Sequence, residues 1–243
     1  MLKSLKVENF NSIVDKDICL KNLNVLTGLN GSGKSSILQI LALLKQSINN
    51  NETGEKLFLF GNLLSLGKSK DILSEYSTSN IKFNIELINN ENNESSTINL
   101  NYSINDYENA DVIKGYVDGN INDLRSVLNN LQYIQADRIS PRSSYPQAGT
   151  FNRESGWLGN NGEYTIDFIN QNENFLVSEN RSMKDQYSSI DSAFRNAIAP
   201  TLQLNDQISA WLQEISPGAQ IATSNIDNID ATTLSFKYKT KSQ

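Results

Sequence analysis

The chain has no histidine, a single cysteine and only four prolines among 243 residues. Without histidine, serine–histidine nucleophilic schemes and histidine-ligated metal centres cannot be assembled from this chain. One cysteine excludes an internal disulfide. Cys19 lies between Ile18 and Leu20 and reads as a packed strand residue rather than a reactive thiol. Positive charge is also short: 21 Lys and Arg against 27 Asp and Glu leave a net charge of −6. No general basic footprint for nucleic acid is therefore expected, although a local patch is compatible with that balance. No stretch approaches the ~18 apolar residues of a membrane span. Met1 to Phe10 alternates charged and apolar residues and lacks the apolar centre of a signal peptide. The expectation is a soluble, cytoplasmic protein.

What is present begins with pattern. Leu2, Leu5 and Val7 predict a first strand, and Ile18 to Leu20 a second that pairs with it across a short turn. Leu23 to Thr27 predicts a third, ending at Gly28. Lys34 to Ile48 then runs without Gly or Pro as a helix, in which Ile37, Leu38, Ile40, Leu41, Leu43 and Leu44 cover more than half the circumference. A helix buried on most sides is expected.

Strand patterns follow at Leu57 to Phe60, Ile81 to Leu87, Thr97 to Ile104 and Val112 to Val117, with asparagine-rich turns between. Ile121 to Leu131 has amphipathic helical spacing, and Tyr133-Ile134 reads as a strand. Ser140 to Gly162, with two prolines, predicts a long loop or lid. Tyr164 to Ile169, Ile190 to Ala199 and Leu204 to Ile215 read as helices, and Ile221 to Tyr238 as strands. The length suits one large domain or two small ones, and a single domain is the simpler reading.

The chemistry is carried by Gly28-Leu29-Asn30-Gly31-Ser32-Gly33-Lys34-Ser35, which is Gly, four residues, Gly-Lys, then Ser, between a predicted strand and a helix. Glycines 28, 31 and 33 permit positive φ and let backbone N–H groups curl around phosphate, while the helix beginning near Lys34 adds its positive dipole end. Lys34 is the candidate for the β- and γ-phosphates, Ser35 for Mg²⁺ and Ser36 for the α-phosphate, with Asn30 and Ser32 completing the loop. The bare pattern arises by chance in roughly one chain in a hundred of this length. The bland alternative is a glycine turn before a core helix, and the flanking elements weigh against it. ATP with Mg²⁺ is the expected ligand.

The loop text Gly28 to Ser36, preceded by Val25-Leu26-Thr27 and by Asn9-Phe10-Asn11-Ser12, resembles the ATPase heads of the SMC/RecF branch of the ABC superfamily. It is similar, more narrowly, to bacterial AAA-type ATPases of anti-phage defence, including the ATPase subunit of Septu systems. Three further stretches carry the resemblance: Gly61 to Gly67 with Asp71, Tyr133 to Arg138 with Pro141, and Gly159 to Tyr164. It implies an α/β P-loop NTPase of the ABC-type head class, with a mixed or antiparallel β-rich subdomain. The strand–helix unit would span about 1–50, the β-rich lobe about 55–118 and the helical and lid region about 119–220, all in one domain over 1–243.

By the same resemblance Asn11 and Ser12 would lie near the ribose or adenine. Gln135 or Arg138 would lie near the γ-phosphate as catalytic candidates, with Gln135 also a candidate Mg²⁺ ligand. Arg138 and Arg142 read equally as surface ion-pair partners, and Gln135 as a buried polar residue at a strand end. The complete protein would form a head-to-head homodimer with ATP between the subunits, hydrolysing ATP to gate an effector such as a nuclease.

Hydrolysis in this superfamily needs an apolar strand ending in Asp-Glu and a serine-glycine signature. Phe175 to Glu179 is the nearest acidic strand end but lacks the preceding Asp, and no signature is found. The resemblance places both motifs C-terminal to the matched region, so the expectation is an N-terminal half that binds ATP without efficient turnover. A non-hydrolysing interaction module, in which ATP orders the loop after Ser140, is the second reading. A DNA-repair or chromosome-organising head is the third, and it would predict heptads that are not present.

Overall fold

Leu5 and Val7 alternate inward along β1 (Leu2–Phe10). Asn9, at φ 62°, interrupts the two-residue period, so that Phe10 turns into the core. Asn11, at φ 49°, then reverses the chain into β2 (Ile13–Cys19), with Phe10 paired to Ile13 across the turn. These are the conformations asparagine tolerates better than most residues.

The computed structural model describes residues 1–74, 80–89, 94–104, 110–177 and 195–238. They form two compact units, Met1–Tyr133 and Ile134–Gln243. In the first, β1 and β2 are followed by α1 (Lys34–Asn50), β3 (Lys56–Phe58), a 3₁₀ turn (Ser69–Ile72), β4 (Ile81–Ile88), β5 (Ser95–Tyr102), β6 (Val112–Asp118) and α2 (Ile121–Asn129). The six strands make one antiparallel sheet in the order β2-β1-β4-β5-β6-β3.

Strict alternation sets its register. Ile81, Phe83, Ile85 and Leu87 of β4 all face inward, and Phe83 pairs with Leu100 and Ile85 with Ile98. Phe83 lies between Phe10 and Tyr102, at ring separations of 5.8 and 6.1 Å. The Tyr102 hydroxyl donates to the carbonyl of Gly54 at 2.8 Å, and burial pushes its pKa up. Ile40, Leu43, Leu44 and Ile48 of α1 are likewise buried.

The second unit holds β7 (Tyr145–Pro146), α3 (Thr150–Glu154), α4 (Thr165–Gln171), α5 (Leu204–Ile215), β8 (Ala219–Asn225) and β9 (Ala231–Tyr238). Its sheet runs β7-β9-β8. Its core gathers Tyr145, Ile166, Ile169 and Ile221, with Ile208 and Leu212 of α5 packed against them.

Several expectations are corrected. Leu23 to Thr27 is not a strand, and Leu23 and Val25 are 83% and 76% exposed. The segment finds no strand to pair with among the described residues, and apolar pattern alone cannot make a ladder. Tyr133-Ile134 is not a strand either. Ser140 to Gly162 is not wholly irregular, because it carries β7 and α3. Leu38 is 52% exposed, but Ser36, Ile40, Ala42, Leu43, Leu44, Gln46, Ser47 and Ile48 are buried, so α1 is buried around most of its circumference, as its apolar pattern implies. Cys19 is exposed at the end of β2. Of the helix expected over 190–199, residues 190–194 lie outside the described residues and 195–199 are not helical. Among the described residues no helix is long and apolar enough to cross a membrane.

Because Phe83 joins the sheet to two other buried rings, Phe83→Ala should lower unfolding free energy by about 3–5 kcal/mol. Urea denaturation checks it; a loss below about 1 kcal/mol would show that this ring is not central to the core.

Candidate functional site

The loop before α1 is shaped by its glycines. Gly28, Gly31 and Gly33 have φ values of 148°, 81° and 87°, conformations that cost other residues roughly 1–2 kcal/mol each. Space reinforces the choice at Gly33, where an added Cβ would lie 3.0 Å from Ile13 and 3.2 Å from the Ser12 hydroxyl. At Gly31 a Cβ would meet nothing within 4 Å, so there the backbone angle alone selects glycine.

This loop bonds little of itself. Ser32 N donates to Leu29 O at 3.3 Å, and Ile37 N donates to Gly33 O at 3.2 Å as the helix begins. The N–H groups of Gly31, Gly33, Lys34, Ser35 and Ser36 have no acceptor among the described residues. Five donors at one helix start, on a helix with no acidic residue in its first turn, form an anion cradle.

Lys34 reaches back over it. Its Nζ donates to Gly28 O at 2.9 Å and Leu29 O at 2.5 Å, with Ser32 Oγ at 3.5 Å. The ammonium thus rests on the loop's own carbonyl oxygens, where an entering phosphate would compete for it. Ser35 is exposed and its hydroxyl has no partner among the described residues. Those residues contain no group of three or more Asp, Glu or Cys able to hold a metal. Ser35 is the residue of this loop that would hold a magnesium ion arriving with phosphate. Asn30 and Ser32 are exposed on the loop.

The β1–β2 turn supports the junction of loop and helix. Asn11 Nδ2 donates to Ser36 Oγ at 3.4 Å, and Asn11 N donates to Ile72 O at 2.7 Å. The Ser12 hydroxyl faces Gly33. The structure thus brings Asn11, Ser12, Ser36 and the loop together.

Gln135 and Arg138 belong to the second unit. Gln135 N donates to Asn160 O at 2.8 Å and Ile139 N to Asn161 O at 2.9 Å, so two of the stretches that carry the resemblance pair with each other. Arg138 is exposed, and neither it nor Arg142 forms an ion pair among the described residues. Within Phe175 to Glu179, Leu176 makes only an isolated bridge to Gln203. Ser178 and Glu179 lie outside the described residues.

Two supports were not foreseen. Gln46, 4% exposed on α1, donates to Phe58 O at 2.7 Å and accepts from Leu63 N and Leu64 N at 3.3 and 3.0 Å. Lys45 donates to Asn129 O and Leu131 O at 3.1 and 2.7 Å, and burial lowers its pKa. The available signal was a glutamine within the apolar stripe of a helix.

A family described as "AAA domain, putative AbiEii toxin, Type IV TA system" matches residues 23–232. No curated protein is matched. The chain belongs to that family and is an α/β P-loop NTPase domain. Lys34 Nζ bonds only oxygens of its own loop, so Lys34→Ala should keep the fold, and with Lys34 as the expected phosphate group it should weaken Mg·ATP binding about a hundredfold, ~2.7 kcal/mol. Calorimetry with circular dichroism checks this, and undiminished affinity would remove Lys34 from the site.

Proposed function

We propose that this AAA-family domain is the ATP-binding part of an ABC/SMC-type ATPase head, which acts as a head-to-head homodimer and uses ATP hydrolysis to gate an effector in anti-phage defence. The observation that carries the nucleotide assignment is the set of N–H groups of Gly31, Gly33, Lys34, Ser35 and Ser36 without an acceptor among the described residues, beside a lysine resting on Gly28 O and Leu29 O. Family membership supports ATP and Mg²⁺ as the ligands. The ABC-type head, the dimer, the defence role and a nuclease effector rest on the resemblance.

In this reading Gly28, Asn30, Gly31, Ser32 and Gly33 form the loop around the β-phosphate, Lys34 neutralises the β- and γ-phosphates, and Ser35 ligates Mg²⁺. Ser36 takes the α-phosphate, held by Asn11. Gln135 and Arg138 are the γ-phosphate candidates. The second reading is a module that binds ATP without turnover, in which ATP orders the loop after Ser140.

Sedimentation velocity and single-turnover kinetics separate these readings. Mg·ATP should convert wild-type monomers to dimers, and the Lys34→Ala variant should stay monomeric. Unchanged mass in saturating Mg·ATP would refute the sandwich dimer. Hydrolysis of bound ATP by this chain alone in a single turnover would overturn the non-hydrolysing reading.

A further inference from the structure

The second unit contains a cavity of about 270 Å³, near the lower end of the range for small-molecule pockets. Trp157, Tyr164 and Phe168 supply aromatic walls, and Arg153 lines it beside them. That arginine is held in one pose. Its Nε and Nη2 donate to the two carboxylate oxygens of Asp167 at 2.9 and 3.0 Å, and Nη2 also donates to Gln147 Oε1 at 2.9 Å. Asp167 is 1% exposed and accepts a further bond from Ala148 N at 3.0 Å. The pair raises the Arg153 pKa. Nη1 is the nitrogen left over, and its two N–H groups have no acceptor among the described residues.

Charge narrows the ligand. Arg153 and Asp167 neutralise each other, and Glu154 on the same wall has no cationic partner among the described residues. A free anion is disfavoured by Glu154, and a free cation by the nearby guanidinium. A neutral, flat molecule with hydrogen-bond acceptors for Nη1 and donors for Glu154 meets both demands while stacking on the aromatic walls. The amide of Asn152, also on the wall, offers one further donor and one further acceptor.

We infer that this cavity is a nucleobase-binding site, in which the Nη1 edge of Arg153 and the carboxylate of Glu154 read the base while Trp157 and Phe168 stack on it. Binding here is independent of the phosphate loop. The site takes a base or nucleoside, free or as part of a larger ligand, and needs no phosphate.

The chain has two tryptophans, and the other, Trp211, is 42% exposed on α5. Trp211→Phe therefore leaves Trp157 as a fluorescent reporter at the cavity. Adenosine, guanosine, cytidine and uridine, titrated singly, carry no phosphate and so do not report on the Gly28–Ser35 loop. At least one should quench Trp157 saturably with a Kd below about 1 mM. Arg153→Lys keeps a cation for Asp167 but loses the Nη1 edge, and should weaken that nucleoside at least fivefold. Phe168→Leu, which leaves the ion pair intact, should weaken it at least threefold. No quenching by any nucleoside at 5 mM, or unchanged affinity in both variants with an unchanged melting temperature, would overturn the assignment. Tighter binding of benzoate than of every nucleoside would overturn it in favour of a carboxylate ligand.

Discussion

The first-turn N–H groups of α1 have no acceptor among the described residues, and beyond the Asn11–Ser36 contact the helix is fastened further along. Ile40, Leu43, Leu44 and Ile48 bury its flank. Gln46 then fixes the chain from Phe58 to Leu64 through four carbonyl and amide contacts, one of them to Leu64 O at 3.4 Å. The Ser47 hydroxyl accepts from Phe58 N at 2.9 Å. Lys45 binds the carbonyls that end α2, the helix end where a cation is favoured. A buried amide that satisfies both its donor and its acceptor is expensive to displace, so polar contacts mid-helix supply positional precision.

The same economy governs two of the glycine loops. At Gly67 an added Cβ would sit 2.6 Å from the Asp71 carboxylate, which accepts from Lys68 N at 2.7 Å. At Gly159 it would overlap the Glu163 carboxylate, which accepts from Asn161 N at 2.9 Å. Each loop is closed by an acidic side chain folded back onto the backbone, and only glycine leaves room for it. This gives a physical reason for glycine and acid to recur together at Gly67 with Asp71 and at Gly159 with Glu163.

The parts of the fold that depend on local pattern were legible. The alternation in β4, the span of α5 and the pairing of β1 with β2 follow from spacing and from the residues at the turn. Leu23 to Thr27 was misread because a strand is a relation between segments, and period-two apolarity says nothing about whether a neighbour is present. Ser140 to Gly162 was misread because prolines and glycines also bound short regular pieces: Pro146 occupies β7, which pairs with β9 over only two residues. The phosphate loop was visible residue by residue, since its glycines answer to backbone angles that sequence can encode. Asn11 was visible as a residue beside the loop, but its bond to Ser36 was not, because 25 positions separate them.

The position of Lys34 bears on how the loop accepts a ligand. Its ammonium is already engaged by Gly28 O and Leu29 O, so phosphate binding exchanges two carbonyl acceptors for anionic oxygens rather than filling an idle cation. The ammonium's bonds to those carbonyls are already charge-assisted, and anionic oxygens add an opposite full charge to them, while the N–H groups of Gly31, Gly33, Lys34, Ser35 and Ser36, without an acceptor among the described residues, would gain one in the same step. The exchange therefore favours a ligand that brings several anionic oxygens at once. A monoanion that satisfied Lys34 alone would leave most of those donors unpaired, so on the proposed reading the cradle would favour a polyphosphate chain before any contact to the base is made.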